Sequence, residues 1–210
     1  ETGVNYANAL ADAQKQGFAE ADPTNDVCGF DAARKLAILS SIGFRANVTF
    51  DDVLVEGIEK IDKSDIQYAK DMGYTIKLLT VALRQENGIA LNVYPAFLPD
   101  NHPLSSVKGA YNAIYVTGNI VDDVMFYGRG AGALPTASAV MGDVISTAQH
   151  ILNGSTGTGM IMTDTKRIPF YSSLKLQNSY YFRLDVDDVT GVLSQLAAAF
   201  AENGISICEV

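Results

Sequence analysis

Acidic side chains and one lysine are concentrated in a short stretch near the start of the 210-residue chain. Residues 13 to 35 read AQKQGFAEADPTNDVCGFDAARK. Four carboxylates fall within twelve positions of this stretch, at Glu20, Asp22, Asp26 and Asp31. Lys35 follows Asp31 by four positions, so these two side chains share one face of a helix that begins near Gly29. Such an acid cluster beside a lysine can bind a substrate ammonium and can keep a protonated amine directed at a carbonyl oxygen.

The same residues also fit an ordinary structural explanation. An aspartate at the start of a helix caps that helix, and an Asp and a Lys four positions apart pair on a solvated helix surface. Spacing alone therefore leaves two interpretations of Asp31 and Lys35 open. They are either a surface ion pair or part of a catalytic site.

A glycine-rich segment, Gly128-Arg129-Gly130-Ala131-Gly132, forms a second candidate site. It follows a predicted strand and precedes a predicted helix, and together with Ala133 it matches the dinucleotide fingerprint GxGxxA. That fingerprint also requires a second parallel strand and an acidic residue about 20 positions further on. The predicted helix leads instead into Asn153 and a loop rich in Gly, Ser and Thr. An independent dinucleotide site and a plain turn before a helix both stay open.

Composition argues against several functional classes. The chain has 15 Lys and Arg against 24 Asp and Glu, a net charge of −9, which disfavours binding to nucleic acid or to an anionic membrane surface. No run approaches about 18 apolar residues, and we expect a soluble, cytoplasmic globular protein. Cys28 and Cys208 lie far apart with no CxxC motif or Cys/His cluster, so we expect neither a disulfide framework nor a metal site.

The hydrophobic pattern predicts an α+β fold with helices and a mostly antiparallel sheet. Helical spacing marks three segments of the middle of the chain: Asp31–Phe44, Lys63–Met72 and Leu134–Leu152. Alternation with period two predicts strands at Tyr74–Arg84, Ile89–Phe97, Tyr111–Val116 and Val121–Tyr127. We expect the first three strands to form one sheet, and a symmetric partner to bury its exposed edge or face.

The end of the chain has a strand–helix–strand pattern. Its three segments are Tyr180–Val186, Val189–Phe200 and Ile205–Val210. A single crossover unit of this kind cannot cover both of its own faces. We therefore expect the chain to be a piece of a longer polypeptide, in which residues 166–178 form a linker before this unit.

The acidic stretch resembles the signature of the homoserine dehydrogenases. The resemblance rests on residues that stand at that family's spacing: Ala13, Gly17-Phe18-Ala19, Asp22-Pro23, Asp26-Val27, Gly29, Asp31 and Lys35. Residues 107–114 and 128–145 also resemble the catalytic domain of that family. The resemblance implies a homoserine dehydrogenase catalytic and dimerisation domain over residues 1–165.

This resemblance implies an NAD(P)-dependent oxidoreductase of threonine and methionine biosynthesis. Its members interconvert L-homoserine and L-aspartate 4-semialdehyde. Carried onto this chain, Lys35 would be the general acid that protonates the carbonyl oxygen, and Asp26 would orient that lysine. Glu20 and Asp31 would hold the α-ammonium group of the substrate. Four residues of the acidic stretch thus receive roles that spacing alone does not assign.

The resemblance also implies a cofactor and a partner. Gly132, with Gly130 behind it, would lie against NADP or NAD from the catalytic side. The nucleotide-binding domain, a second active-site lysine and the family's monovalent-cation site would all fall outside this chain. We therefore expect no activity from the chain alone, and we expect a homodimer or a higher homo-oligomer.

The terminal segment, residues 179–210, resembles the first strand, first helix and second strand of an ACT domain, a small fold that commonly binds amino acids. The turn Asp187–Leu193 resembles the ligand-binding turn of that fold, although Thr190 stands where proline is usual. This resemblance supports a second hypothesis. The chain could be a non-catalytic module that senses an amino acid and dimerises.

Overall fold

The computed structural model describes residues 6–155, 168–170 and 178–208. The chain divides into two compact units, Glu1–Gln177 and Asn178–Val210. Most of the linker expected at residues 166–178 lies outside the described residues. The unit boundary falls at the end of that expected linker.

Five helices and five strands make up the described part of the first unit. The helices are α1 (Tyr6–Lys15), α2 (Thr24–Val27), α3 (Phe30–Phe44), α4 (Lys63–Asp71) and α5 (Ala133–Leu152). The strands are β1 (Leu54–Val55), β2 (Tyr74–Gln85), β3 (Gly88–Pro99), β4 (Tyr111–Gly118) and β5 (Asp122–Arg129). Short 3-10 turns lie at Phe50–Asp52 and Pro103–Ser106.

Strand β3 is the central strand of a three-stranded sheet. It pairs antiparallel with β2 along its whole length, and the tight turn at Glu86-Asn87 joins the two strands. On its other side β3 pairs in parallel with the short strand β1. The hairpin expected from Glu86-Asn87-Gly88 is therefore present.

Strand β4 does not join this sheet, which differs from the sequence expectation. It pairs antiparallel with β5, and the two form a separate two-stranded sheet. Strand β5 follows β4 after a turn of only a few residues, and such a local pairing closes a much shorter loop than a pairing with β2 or β3 would. The alternation of each strand predicted the strands correctly, but it carried no information on which strand is the neighbour.

The hydrophobic core lies between α3 and the sheet. Its buried members are Ala33, Leu36, Ala37, Ala46, Val48, Val53, Ile89, Leu91 and Val93. Ile89, Leu91 and Val93 alternate along β3 and therefore point to the same face. Burial of each large aliphatic side chain contributes about 1.5–3 kcal/mol, so α3 is held firmly on the sheet.

A glycine turn joins α2 to α3 and rests on the sheet. Gly29 has a φ of +80°, a left-handed conformation that side chains other than glycine rarely adopt. A Cβ atom at this position would lie 3.0 Å from Cγ1 of Val93 and 3.3 Å from Cγ1 of Val55. The absence of a side chain thus allows the turn to approach β1 and β3.

The segment that follows β1 fastens α2 from the other side. The backbone N–H of Glu56 donates to the carbonyl oxygen of Val93 at 2.7 Å, and the N–H of Ile58 donates to the carbonyl oxygen of Val27 at 2.9 Å. Between them, Gly57 lies directly against the backbone of α2. A Cβ atom at Gly57 would overlap the Val27 carbonyl oxygen and would lie 2.6 Å from the Cα atom of Cys28.

The second unit contains one helix, α6 (Val192–Glu202), among its described residues. Gly191 precedes this helix with a φ of +92°. The strands expected on either side of α6 are not formed within residues 178–208. A strand is defined by hydrogen bonds to a neighbouring strand, which the alternation of one segment does not supply.

We expect Gly57→Ala to destabilise the protein. The new methyl group collides with backbone atoms of α2, which cannot rotate away, and overpacking of this kind costs about 1–3 kcal/mol. Gly43→Ala is the matched control, because Gly43 lies in α3 with no atom within 4 Å of the added Cβ. It should stabilise the protein by up to about 1 kcal/mol. Urea unfolding measures both changes, and equal stability of the two variants would contradict the close approach at Gly57.

Candidate active site

The loop that carries Glu20 connects α1 to α2 and is tied to α1 by one side chain. Nε2 of Gln14 donates to the carbonyl oxygen of Glu20 at 2.9 Å and to that of Ala21 at 3.2 Å. These bonds fix the backbone of the loop. The side chain of Glu20 remains exposed, and among the described residues its carboxylate makes no hydrogen bond or ion pair.

Asp26 connects α2 to the same loop. Its Oδ2 atom accepts a hydrogen bond of 3.1 Å from the backbone N–H of Glu20, and the residue is half-buried. Its other oxygen, Oδ1, has no hydrogen-bond partner in the part of the chain that the structure describes. Asp26 therefore holds the Glu20 backbone with one oxygen and can accept a further hydrogen bond with the other.

Asp31 and Lys35 form an ion pair on the outer face of α3. Nζ of Lys35 lies 2.6 Å from Oδ2 of Asp31, and the side chains are 69% and 49% exposed. A pair this open to water stabilises a helix by only about 0.3–0.5 kcal/mol. The pair therefore contributes little to the stability of the helix. The exposed ammonium of Lys35 is accessible to a ligand.

The four candidate residues form two pairs on either side of the Gly29 turn. Asp31 and Lys35 lie together on α3, and Asp26 lies against the Glu20 loop. Across residues 6–155, no hydrogen bond or ion pair joins one pair to the other. Among the described residues, the structure thus places an exposed ammonium on α3, a carboxylate with one free oxygen on α2, and an unpaired carboxylate in the loop before α2.

Asp22 belongs to the structure of the loop. The hydroxyl and the backbone N–H of Thr24 donate to its Oδ1 atom at 2.6 and 3.1 Å. These two hydrogen bonds lower the pKa of Asp22. Asp22 is therefore a carboxylate that closes the turn before α2, which is a different role from that of its neighbours.

Cys28 also lies in this turn but is unsuited to act as a nucleophile. Its Sγ atom donates a hydrogen bond of 3.2 Å to Oε2 of Glu59. That hydrogen bond is the main cause that raises the pKa of the thiol, and burial and the negative charge of Glu59 raise it further. Because the thiolate is the reactive form, a raised pKa makes Cys28 less reactive.

The glycine loop between β5 and α5 has two positions where a side chain is disfavoured. A Cβ atom at Gly130 would lie 2.5 Å from Nδ2 of Asn112 on β4. Gly132 has a φ of +111° and precedes the first turn of α5, where the structure shows no side-chain cap. The backbone at the start of α5 is thus open to close approach by a polar group.

An independent dinucleotide site at this loop lacks its structural context. The strand that precedes the loop, β5, belongs to an antiparallel pair. No strand parallel to β5 follows α5 within the described residues. Within the described residues, the fingerprint Gly128-x-Gly130-x-x-Ala133 therefore lacks the βαβ unit that gives this motif its function.

The sequence analysis missed the residues that hold the candidate site in place. Gln14 fixes the loop through bonds to residues six and seven positions away. Gly57 supports α2 from a segment some thirty residues further along, as the Cys28–Glu59 contact shows. Both contacts involve loop backbone and do not join the faces of helices or strands, so no local pattern reports them. The one available signal is the Gln-x-x-Gly spacing at Gln14 and Gly17, which indicates a helix end with a polar side chain on its last turn.

The described residues contain no group of three or more His, Cys, Asp or Glu side chains arranged to hold a metal ion. The same residues include no helix with both the length and the apolar character needed to cross a bilayer.

The chain is similar to known proteins over nearly its whole length. The family model for homoserine dehydrogenase matches residues 1–145. A curated homoserine dehydrogenase from Corynebacterium glutamicum is 44% identical over 211 residues, which is 98% of this chain and 47% of that relative. The chain spans about half the length of the curated relatives it matches.

Solved structures agree with the sequence comparison. The crystal structure of a homoserine dehydrogenase from Thiobacillus denitrificans has a TM-score of 0.88 and 36% identity, and the match covers 99% of this chain and 49% of that chain. A hyperthermophilic archaeal homoserine dehydrogenase mutant in complex with NADPH has a TM-score of 0.53 and 27% identity, covering 68% of this chain and 40% of that one. These similarities confirm the α+β fold class expected from the sequence.

We expect the pKa of the Cys28 thiol to lie above that of an ordinary cysteine. In a Cys208→Ser background, the rate of alkylation by iodoacetamide should be measured as a function of pH. The rise in this rate should occur at a higher pH than the rise measured for N-acetylcysteine, because the hydrogen bond to Glu59 favours the protonated thiol. Glu59→Gln should move this profile to lower pH. Glu86→Gln, in the turn between β2 and β3, is the control and should leave it unchanged. A profile insensitive to Glu59→Gln would refute the role assigned to that carboxylate.

Proposed function

This chain belongs to the homoserine dehydrogenase family, and we propose from that premise that a protein containing it interconverts L-homoserine and L-aspartate 4-semialdehyde with NAD or NADP. The observation that carries the proposal is the arrangement around Gly29. Lys35 presents an exposed ammonium on α3, and the loop before α2 presents the carboxylate of Glu20, which has no partner among the described residues. The non-catalytic alternative has no comparable support, because the curated relatives that match nearly the whole chain are dehydrogenases.

Lys35 is proposed as the general acid. When bound, the nicotinamide cofactor supplies the hydride, and negative charge then develops on the carbonyl oxygen of the semialdehyde. The ammonium of Lys35 donates its proton to that oxygen, which yields the hydroxyl of homoserine. In the reverse direction the neutral amine accepts the proton. Asp26 orients the lysine through the oxygen that the Glu20 backbone leaves free.

Glu20 and Asp31 are proposed to bind the α-ammonium group of the substrate. The Glu20 carboxylate has no protein partner among the described residues, and Asp31 uses one oxygen for Lys35 and can use the other for the ligand. Charge-assisted hydrogen bonds of this kind are about twice as strong as neutral ones. The substrate is thus held by its ammonium while its carbonyl oxygen faces Lys35.

The glycine loop between β5 and α5 is suited to contact the cofactor. A helix N-terminus without a side-chain cap favours a negatively charged or polar group, and Gly130 and Gly132 leave the backbone there accessible. We propose that these two glycines contact NADP or NAD. The complex of an archaeal relative with NADPH supports this cofactor class for the family.

We propose a homodimer or higher homo-oligomer for the protein. Ile114, Val116 and Phe126 point to one face of the β4–β5 sheet and are 44%, 44% and 63% exposed. A two-stranded sheet with an apolar face needs a cover to be stable, and a symmetric partner supplies one. The proposal keeps the cytoplasmic location expected from the sequence.

The terminal unit is proposed to be the first part of an ACT domain. The boundary between the two units, at Asn178, lies next to the start expected from the sequence. Gly191 stands in the left-handed conformation at the start of α6, at the turn that resembles a ligand-binding turn. The catalytic and dimerisation domain would then occupy residues 1–165.

Lys35→Ala in the full-length protein should lower kcat by about 10²–10⁴-fold, the usual contribution of general acid catalysis. KM for the semialdehyde should change far less, because the proton is transferred mainly in the transition state. Lys70→Ala is the control, since Lys70 is an exposed lysine near the end of α4. Steady-state kinetics with melting curves measures both variants. A Lys35→Ala enzyme with parental kcat would show that Lys35 only pairs with Asp31.

Glu20→Ala and Asp31→Ala should act on binding. The ammonium they hold keeps its charge throughout the reaction, so KM should rise by roughly 10–100-fold, which corresponds to about 1.5–3 kcal/mol for a hydrogen bond to a charged group. The value of kcat should fall much less. Glu86→Ala removes an exposed carboxylate from the turn between β2 and β3 and should change neither constant. A loss confined to kcat would argue against ammonium binding by these residues.

A further inference from the structure

Arg34 connects three segments around the candidate site. Its Nη1 atom donates a hydrogen bond of 2.9 Å to Oδ1 of Asn25 on α2. The guanidinium carbon lies 5.2 Å from the centroid of the Phe50 ring, within the range of a cation–π contact. Phe50 in turn meets the ring of Phe30 edge-on, with a centroid distance of 5.9 Å. A single side chain on α3 therefore contacts both α2 and the 3-10 turn at Phe50–Asp52.

Helix α2 needs such a contact to keep its orientation. It consists of the four residues Thr24–Val27, and a helix this short is not stable by itself. Gly29 separates it from α3, so α2 does not continue the backbone hydrogen bonds of that longer helix. The bond from Ile58 holds the last residue of α2, Val27. The bond from Arg34 holds the side chain of Asn25 and so limits rotation of α2 about that attachment.

The hydrogen bond joins the sequence neighbours of two proposed catalytic groups. Asn25 directly precedes Asp26, and Arg34 directly precedes Lys35. Asn25 and Arg34 are both exposed. An exposed hydrogen bond contributes little to the free energy of unfolding. Its effect on the relative position of Asp26 and Lys35 is separate from that contribution.

We propose that Asn25 and Arg34 are positioning residues, whose hydrogen bond holds Asp26 in the orientation at which it can direct Lys35. This inference rests on the proposed function. Arginine suits the task because its planar guanidinium donates to Asn25 while it lies over the Phe50 ring, which a lysine ammonium cannot do in the same way. Neither residue touches the reacting atoms.

The test is a double-mutant cycle in the full-length protein. A misplacement of about 1 Å costs on the order of 10²-fold in rate. Asn25→Leu and Arg34→Met should each lower kcat by roughly 10–100-fold and should change KM by less than about 3-fold. The double variant should lose no more than either single variant, because both remove the same bond. Asn25→Asp keeps an oxygen acceptor at the same place and should retain kcat within about 3-fold.

Controls separate positioning from folding and from the proposed function. Arg84→Met, at an exposed arginine on β2, should leave kcat, KM and the melting temperature unchanged. A kcat loss in Asn25→Leu at unchanged melting temperature, avoided by Asn25→Asp, supports positioning even if Arg34→Met folds poorly. Parental kcat in Asn25→Leu, or a loss that Asn25→Asp shares, overturns it. If the Asn25 variants overturn positioning but Lys35→Ala still lowers kcat by about 10²–10⁴-fold, the proposed function stands. A parental protein that does not oxidise homoserine overturns both.

Discussion

The close packing of the Gly29 turn against β1 and β3 is the constraint on which the candidate site depends. The turn can approach Val93 and Val55 only without a side chain, and it requires a left-handed backbone. Helix α3 is held on the sheet by its buried face. The turn at Gly29 therefore determines the position of α2 relative to α3. The loop that contains Glu20 is joined to α2 by the hydrogen bond from the Glu20 N–H to Asp26, so it moves with that helix. A shift at Gly29 would therefore move Glu20 and Asp26 relative to Asp31 and Lys35.

The parts of the fold that could be predicted from sequence are those with a long, regular pattern. Helix α3 and the β2–β3 hairpin have clear periodicity and a specific turn, and they form nearly as expected. Strand β1 has two residues and α2 has four, which is too short for any repeat to be recognised. The pairing of β4 with β5 depends on a competition between neighbours, which no single strand encodes.

For the candidate site, residue types predicted the acid cluster with Glu20 and Asp26, and one helical spacing linked Asp31 to Lys35. The family resemblance then supplied a proposed role for each of these four residues. The contacts that hold these residues could not be found in this way. The bonds from Gln14 and Arg34 span six to nine positions and depend on the path of a loop and a glycine turn. Tertiary support of a site is therefore the part of its chemistry that sequence patterns report least.

The hydrogen bond between Cys28 and Glu59 has a consequence for oxidative damage. Hydrogen peroxide reacts with the thiolate of cysteine and converts it first to a sulfenic acid. Because Glu59 favours the protonated thiol, this reaction is slowed at Cys28. Cys28 is separated from Asp26 by one residue and directly precedes Gly29. The carboxylate that raises the pKa of this thiol therefore also makes it a poorer target for peroxide, two positions from a candidate site residue.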